Sequence, residues 1–189
     1  HYQGEGPMNA YIASVPLHLL EAAQMIKQCH IQDCDLYYVP TSNHVGDLLE
    51  AVKRAGLFRT VTMLPNINIE YPITVQQCAK ISANRFKVRK ILKDKHYDTV
   101  YYNTDGWLLN SIIYSSLPNR RSKNIFVENG VLPYIVPYDG KEWYLRLYIN
   151  CNLMPCMDGR YIDERYLFAP SLVSVPQRGE IRQIEKIDR

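Results

Sequence analysis

The chain has 189 residues, 47% of them hydrophobic and 22% charged, and its 22 basic and 19 acidic side chains leave a formal net charge of +3. So apolar a chain can bury a core, which excludes disorder, and no stretch reaches the ~18 apolar residues of a transmembrane helix. The length suits about one domain, and the charge bias is too small to point to nucleic acid.

Residues 1–7 show no periodicity and precede Met8, so they read as an expression remnant outside the fold. Residues 10–15 form an apolar run of strand formers stopped by Pro16, and proline at a first helical position opens a helix from 16 to about 28. Leu17, Leu20, Ala23 or Gln24, and Ile26 are its expected inner stripe. A second strand over 36–39 ends at Pro40, and the loop Thr41-Ser42-Asn43-His44 leads into a helix over 45–55, with Gly56 as its C′ residue. Asp33-Cys34-Asp35 precedes that second strand, at the wrong end for ligand chemistry.

A third strand covers 60–64. The longest helical pattern runs from 74 to about 93, with Cys78, Ile81, Val88 and Leu92 on one stripe. A fourth strand over 99–102, a helix over 107–115 and a fifth strand over 124–128 follow. After Gly130 aromatic residues crowd in, residues 166–170 read as one more strand, and 177–189 read as a linker or frayed helix. Strands alternating with helices indicate crossover units. The expectation is an α/β, Rossmann-like three-layer domain over 8–176, with a mostly parallel sheet of about six strands.

Five cysteines (29, 34, 78, 151 and 156) include two C-x4-C pairs but no C-x-x-C, and no two histidines have metal-ligand spacing. Reduced thiols in a cytoplasmic protein are expected rather than a zinc site, and no metal or other cofactor is assigned. G-x-G-x-x-G, Walker, G-x-S-x-G and H-E-x-x-H motifs are all absent.

Ligands of open parallel sheets bind beyond the carboxyl ends of the strands. That rule selects Ser14, the loop to His44, Asn66, Asn103 to Asp105, and Glu128-Asn129-Gly130. A carboxylate that closes a buried strand and is followed by Asn-Gly faces the cleft, where it accepts a proton from a substrate hydroxyl. Alternatively, Glu128 caps the next helix or pairs with Arg120 or Arg121. Asn103-Thr104-Asp105 would hold a divalent metal and a nucleotide diphosphate, or Asp105 would be an N-cap. Lys80, Arg85, Lys87, Arg89, Lys90, Lys93 and Lys95 form either a solvated helix face or a contact for anionic lipid headgroups.

Three segments resemble the family 52 bacterial sialyltransferases. Ser14-Val15-Pro16-Leu17-His18-Leu19-Leu20 is similar to the family's opening after its first strand. Phe126-Val127-Glu128-Asn129-Gly130-Val131-Leu132-Pro133-Tyr134 resembles its acidic strand-end motif, and residues 162–170 the segment closing that domain. The resemblance implies the N-terminal, acceptor-side half of a GT-B enzyme that transfers sialic acid from CMP-sialic acid to a galactose-containing acceptor. Such an enzyme would serve surface polysaccharide or lipooligosaccharide synthesis, in the cytoplasm or at the inner membrane. Asn129 stands where the family has its second acid, so Glu128 becomes the candidate base. Ser14, His18, His44, Asn103, Asp105, Asn129, Gly130 and Tyr134 would bind acceptor, with Tyr138 also available to stack on a sugar. No His-Pro dipeptide occurs, so the donor half is expected to be missing and these residues inactive alone. Two other readings compete: a non-enzymatic flavodoxin-like binding domain, and a metal-dependent GT-A transferase using Asn103 and Asp105.

Overall fold

The computed structural model describes residues 8–40, 45–67, 74–103, 108–118, 121–128, 162–173 and 180–183. Strands β1 (Asn9–Ala13), β2 (Cys34–Tyr38), β3 (Thr60–Met63), β4 (Thr99–Tyr102), β5 (Lys123–Val127), β6 (Glu164–Leu167) and β7 (Glu180–Gln183) form one sheet in the order β3-β2-β1-β4-β5-β6-β7. All neighbours are parallel, with Tyr11 of β1 facing both Leu36 of β2 and Tyr101 of β4. Helices α1 (Pro16–Gln28), α2 (Gly46–Arg54), α3 (Val75–Leu92) and α4 (Leu108–Ser116) cover it.

The layers follow from strand alternation. Tyr11, Ala13, Leu36, Tyr38, Tyr101, Ile125 and Val127 point to one face, where Leu19, Ala22, Met25, Leu49 and Val52 of α1 and α2 pack. Ala10, Ile12, Tyr37, Val100, Tyr102 and Phe126 point to the other, against Ile81, Val88, Leu92, Ile112 and Ile113 of α3 and α4. Strands sealed on both sides read as unbroken apolar runs rather than alternating ones. The Rossmann-like α/β class expected above is the observed one.

Local chemistry sets the helix ends. Pro16 opens α1 from an extended Val15. Gly56, at φ +63, follows the C-cap of α2 in the left-handed region that glycine enters without a steric penalty. Thr74 starts α3 with a reciprocal capping box: Gln77 N donates to Thr74 Oγ1 at 3.2 Å, and Thr74 N to Gln77 Oε1 at 3.2 Å.

Three expectations need correction. The inner stripe of α1 is His18, Leu19, Ala22, Met25 and Ile26, whereas Leu17 and Leu20 are 53% and 51% exposed. The true stripe begins with a histidine, a polar residue, so hydropathy alone favoured the neighbouring leucines. Second, β2 begins at Cys34, so Asp35 lies inside the sheet, fully buried, rather than before it. Arg59 supplies its counter-charge: Nε donates to Oδ1 at 2.9 Å and Nη2 to Oδ2 at 2.6 Å. Third, segment 177–189, read as linker or frayed helix, contributes the edge strand β7, which makes the sheet seven-stranded. An edge strand has only one neighbour and half its surface in water, so it lacks the apolar run that marks a central strand.

Candidate functional site at the C-terminal rim

Strand order reverses between β1 and β4, because the chain winds outward through β2 and β3 and then returns to the other side of β1. The two crossovers leave on opposite faces, so the carboxyl ends of these strands part and open the crevice where such sheets bind ligands. Ser14 follows β1 there, Asn103 follows β4, and Glu128 follows β5.

Ser14 and His18 bind each other one helical turn apart. The Ser14 backbone N–H donates to His18 Nδ1 at 3.2 Å, and the Ser14 hydroxyl lies 3.2 Å from the same nitrogen. An Nδ1 that accepts places the ring proton on Nε2. Both residues are buried, His18 at 1% exposure, so they form the wall of the rim and fix the entry of α1.

Glu128 is nearly buried and is held by the neighbouring strand. Its backbone N–H donates to Tyr166 O at 2.9 Å, and its Oε2 accepts the Phe168 N–H at 2.6 Å. The backbone beyond β6 therefore orients the carboxyl.

Asn103, 1% exposed, donates from Nδ2 to Glu21 Oε2 at 2.7 Å. Glu21 was not a candidate from sequence, yet it stands on α1 one turn beyond His18, facing the head of β4. Burial, then the negative charge of Glu128, push its carboxyl up to about 7. Behind it the Tyr11 phenol, wholly buried and stacked on Tyr101 at 5.8 Å, is pushed well above its ordinary value by burial and then by Glu21. The missed signal was spacing: Ser14, His18 and Glu21 recur at i, i+4 and i+7, which places three polar side chains on one helical line.

Asn66 is not brought to this site. It follows β3, two strands from the switch, where its carbonyl accepts Asn84 Nδ2 at 2.6 Å. His44, Asp105, Asn129, Gly130, Tyr134 and Tyr138, with Arg120, lie outside the described residues. Among the described residues no three His, Cys, Asp or Glu side chains group as a metal site, and Cys29 and Cys34 are free thiols. Burial pushes the Cys34 thiol up to about 12, which makes it inert packing.

No family model matches the sequence, and no curated protein matches it. Among solved structures, the fold is similar to the crystal structure of Acinetobacter baumannii MurG, with a TM-score of 0.51 and 13% sequence identity. The likeness covers 93% of this chain and 44% of the MurG chain, so this chain spans less than half of that protein's length. At that identity the likeness concerns the fold.

Proposed function

We propose that this chain is the acceptor-binding half of a GT-B glycosyltransferase, with Glu128 as the base that accepts the proton of an acceptor hydroxyl. The observation that carries the reading is Glu128 itself. It is a carboxylate closing a central parallel strand next to the topological switch, oriented by the Phe168 N–H. The fold shared with MurG, a GT-B glycosyltransferase, supports the class. The resemblance of residues 126–134 to the acidic motif of family 52 supports a finer reading: transfer of sialic acid from CMP-sialic acid to a galactose-containing glycan. Ser14, His18 and Asn103 shape the acceptor side; the leaving nucleotide would be held by a separate donor domain.

The test is binding. Saturation-transfer NMR with lactose as acceptor probe is expected to show contact with the 189-residue chain, lost in Glu128→Gln, while CMP shows none. CMP binding with no lactose contact would reverse the assignment of halves.

The basic helix face supports a peripheral contact with anionic lipid. Lys80, Lys87, Arg89, Lys90 and Lys93 are exposed on or just beyond α3, and the same helix exposes Phe86 at 74% and Val75 at 86%. Cationic side chains beside an exposed aromatic suit a headgroup layer. No described helix is long and apolar enough to cross a membrane. Co-sedimentation with phosphatidylglycerol vesicles, absent with phosphatidylcholine and absent after Lys87→Glu/Lys90→Glu, is the expected result.

A further inference from the structure

The hydrogen bond that orients Glu128 also sets what stands beside it. In the register of β5 and β6, Val127 faces Tyr166, so one further rung of the parallel ladder would run from the Phe168 N–H to the main-chain carbonyl of Glu128. Here that N–H donates to the Glu128 side chain, its nitrogen 2.6 Å from Oε2. The carboxyl thereby sits between the ends of the two strands. The Phe168 ring hangs from the Cα bonded to that same nitrogen, so covalent geometry makes ring and carboxyl neighbours.

Strand alternation places the ring. Leu167 belongs to the core beneath α3 and α4, whereas Tyr166 and Phe168 pack on the cluster beneath α1 and α2. Phe168 is half-buried there, one residue beyond β6 at the C-terminal rim, so the core holds part of it and solvent reaches the rest beside Glu128. Ring and carboxyl offer two different surfaces to one ligand. The carboxyl takes a hydroxyl, and the ring face, with its negative quadrupole, takes C–H groups. A pyranose carries both. In galactose the axial 4-hydroxyl leaves the hydrogens on C3, C4 and C5 on one face, whereas in glucose the hydrogen on C4 lies on the opposite face.

We propose that Phe168 is a specificity-determining residue of the acceptor site: its ring carries the apolar face of a galactoside while Glu128 receives one of the sugar's hydroxyls. The inference rests on the acceptor reading for its ligand and adds to it a preference for galactose over glucose. Tyr134 and Tyr138, the stacking residues expected from sequence, lie outside the described residues. Phe168 drew no notice there because it stands inside the apolar run 166–170, which reads as a buried strand.

The test uses the 189-residue chain with carbon-13 in the rings of its four phenylalanines. Methyl β-galactoside is expected to give intermolecular NOEs from its hydrogens on C3, C4 and C5 to the Phe168 ring, assigned through its backbone. Phe168→Leu should bind this galactoside roughly three- to tenfold more weakly and lose the preference over methyl β-glucoside, whereas Phe168→Tyr should keep both. Galactoside binding without an NOE to Phe168 overturns the role of Phe168 and leaves the acceptor reading standing. So does a folded Phe168→Leu variant with unchanged affinity and preference. If Phe168→Leu does not fold, the NOE in the wild-type chain decides alone. A wild-type chain that binds neither methyl β-galactoside nor lactose overturns the acceptor reading, and this inference with it.

Discussion

At the N-terminal rim of the sheet Asp35 accepts four hydrogen bonds: two from Arg59, one from Thr60 Oγ1 at 2.7 Å and one from Tyr97 OH at 2.7 Å. At the C-terminal rim, about one strand length away, Glu21 accepts one, from Asn103. Burial pushes both carboxyls up. For Asp35 the hydrogen bonds from Arg59, Thr60 and Tyr97 outweigh it and hold the group below the usual carboxylate value, while Glu21 rises to about 7. One rim uses its buried charge to join β2, β3 and the segment before β4. The other leaves a carboxyl with one hydrogen bond and a raised value, the kind of perturbed group that marks a candidate site.

The largest blow to this contrast is Asp35→Ala. It strands Arg59 and removes the acceptor of Tyr97, and should cost about 3 kcal/mol in chemical denaturation. Lactose binding at the opposite rim should persist in the folded fraction. The acid limb of stability should flatten in the same variant. Because the folded-state value of Asp35 is depressed, its contribution is present above the unfolded-state value and is lost as pH falls through the folded one.

Tyr97→Phe comes next. It removes the bond to Asp35 and the 2.6 Å contact with Tyr37 OH, for an expected loss of about 1–2 kcal/mol. Glu21→Gln should act in the opposite direction and only at higher pH. Glu21 is raised in the folded state, so wild-type stability declines as pH rises from the unfolded value to about 7 and then levels off. The variant should gain about 1 kcal/mol over wild type at pH 8, discounted because this carboxyl is partly solvated, and almost nothing at pH 4.5. Thermal melts at the two pH values read the difference. Smallest in stability is Glu128→Gln, expected within about 1 kcal/mol of wild type because the amide oxygen still accepts the Phe168 N–H. A large loss there would make Glu128 a structural group and erase the distinction between the rims.

Much of the framework was legible because it is local. The helix opened by Pro16, the helix ended at Gly56, the capped start at Thr74 and the apolar strand 99–102 each depend on a few adjacent residues. Glu128 was legible for the same reason, as a carboxylate directly beyond a strand. Where the reading failed, the deciding partner was distant in sequence. Asp35 could enter β2 only because Arg59, Thr60 and Tyr97 converge on it, and β7 is a strand only because β6 offers an open edge.

The sequence by itself determined the alternation of strands and helices, since periodicity, proline and glycine act within a few residues, and it placed polar groups at the strand ends. Only the tertiary structure decided that β1 lies beside β4 and β4 beside β5. That order comes from burying one face of the sheet under α1 and α2 and the other under α3 and α4, elements from separate stretches of the chain, and no local pattern encodes it. It brings Glu21, Asn103 and Glu128, which adjacent residues leave unrelated, to one rim, where Asn103 donates to Glu21 and burial with the charge of Glu128 raises the Glu21 carboxyl.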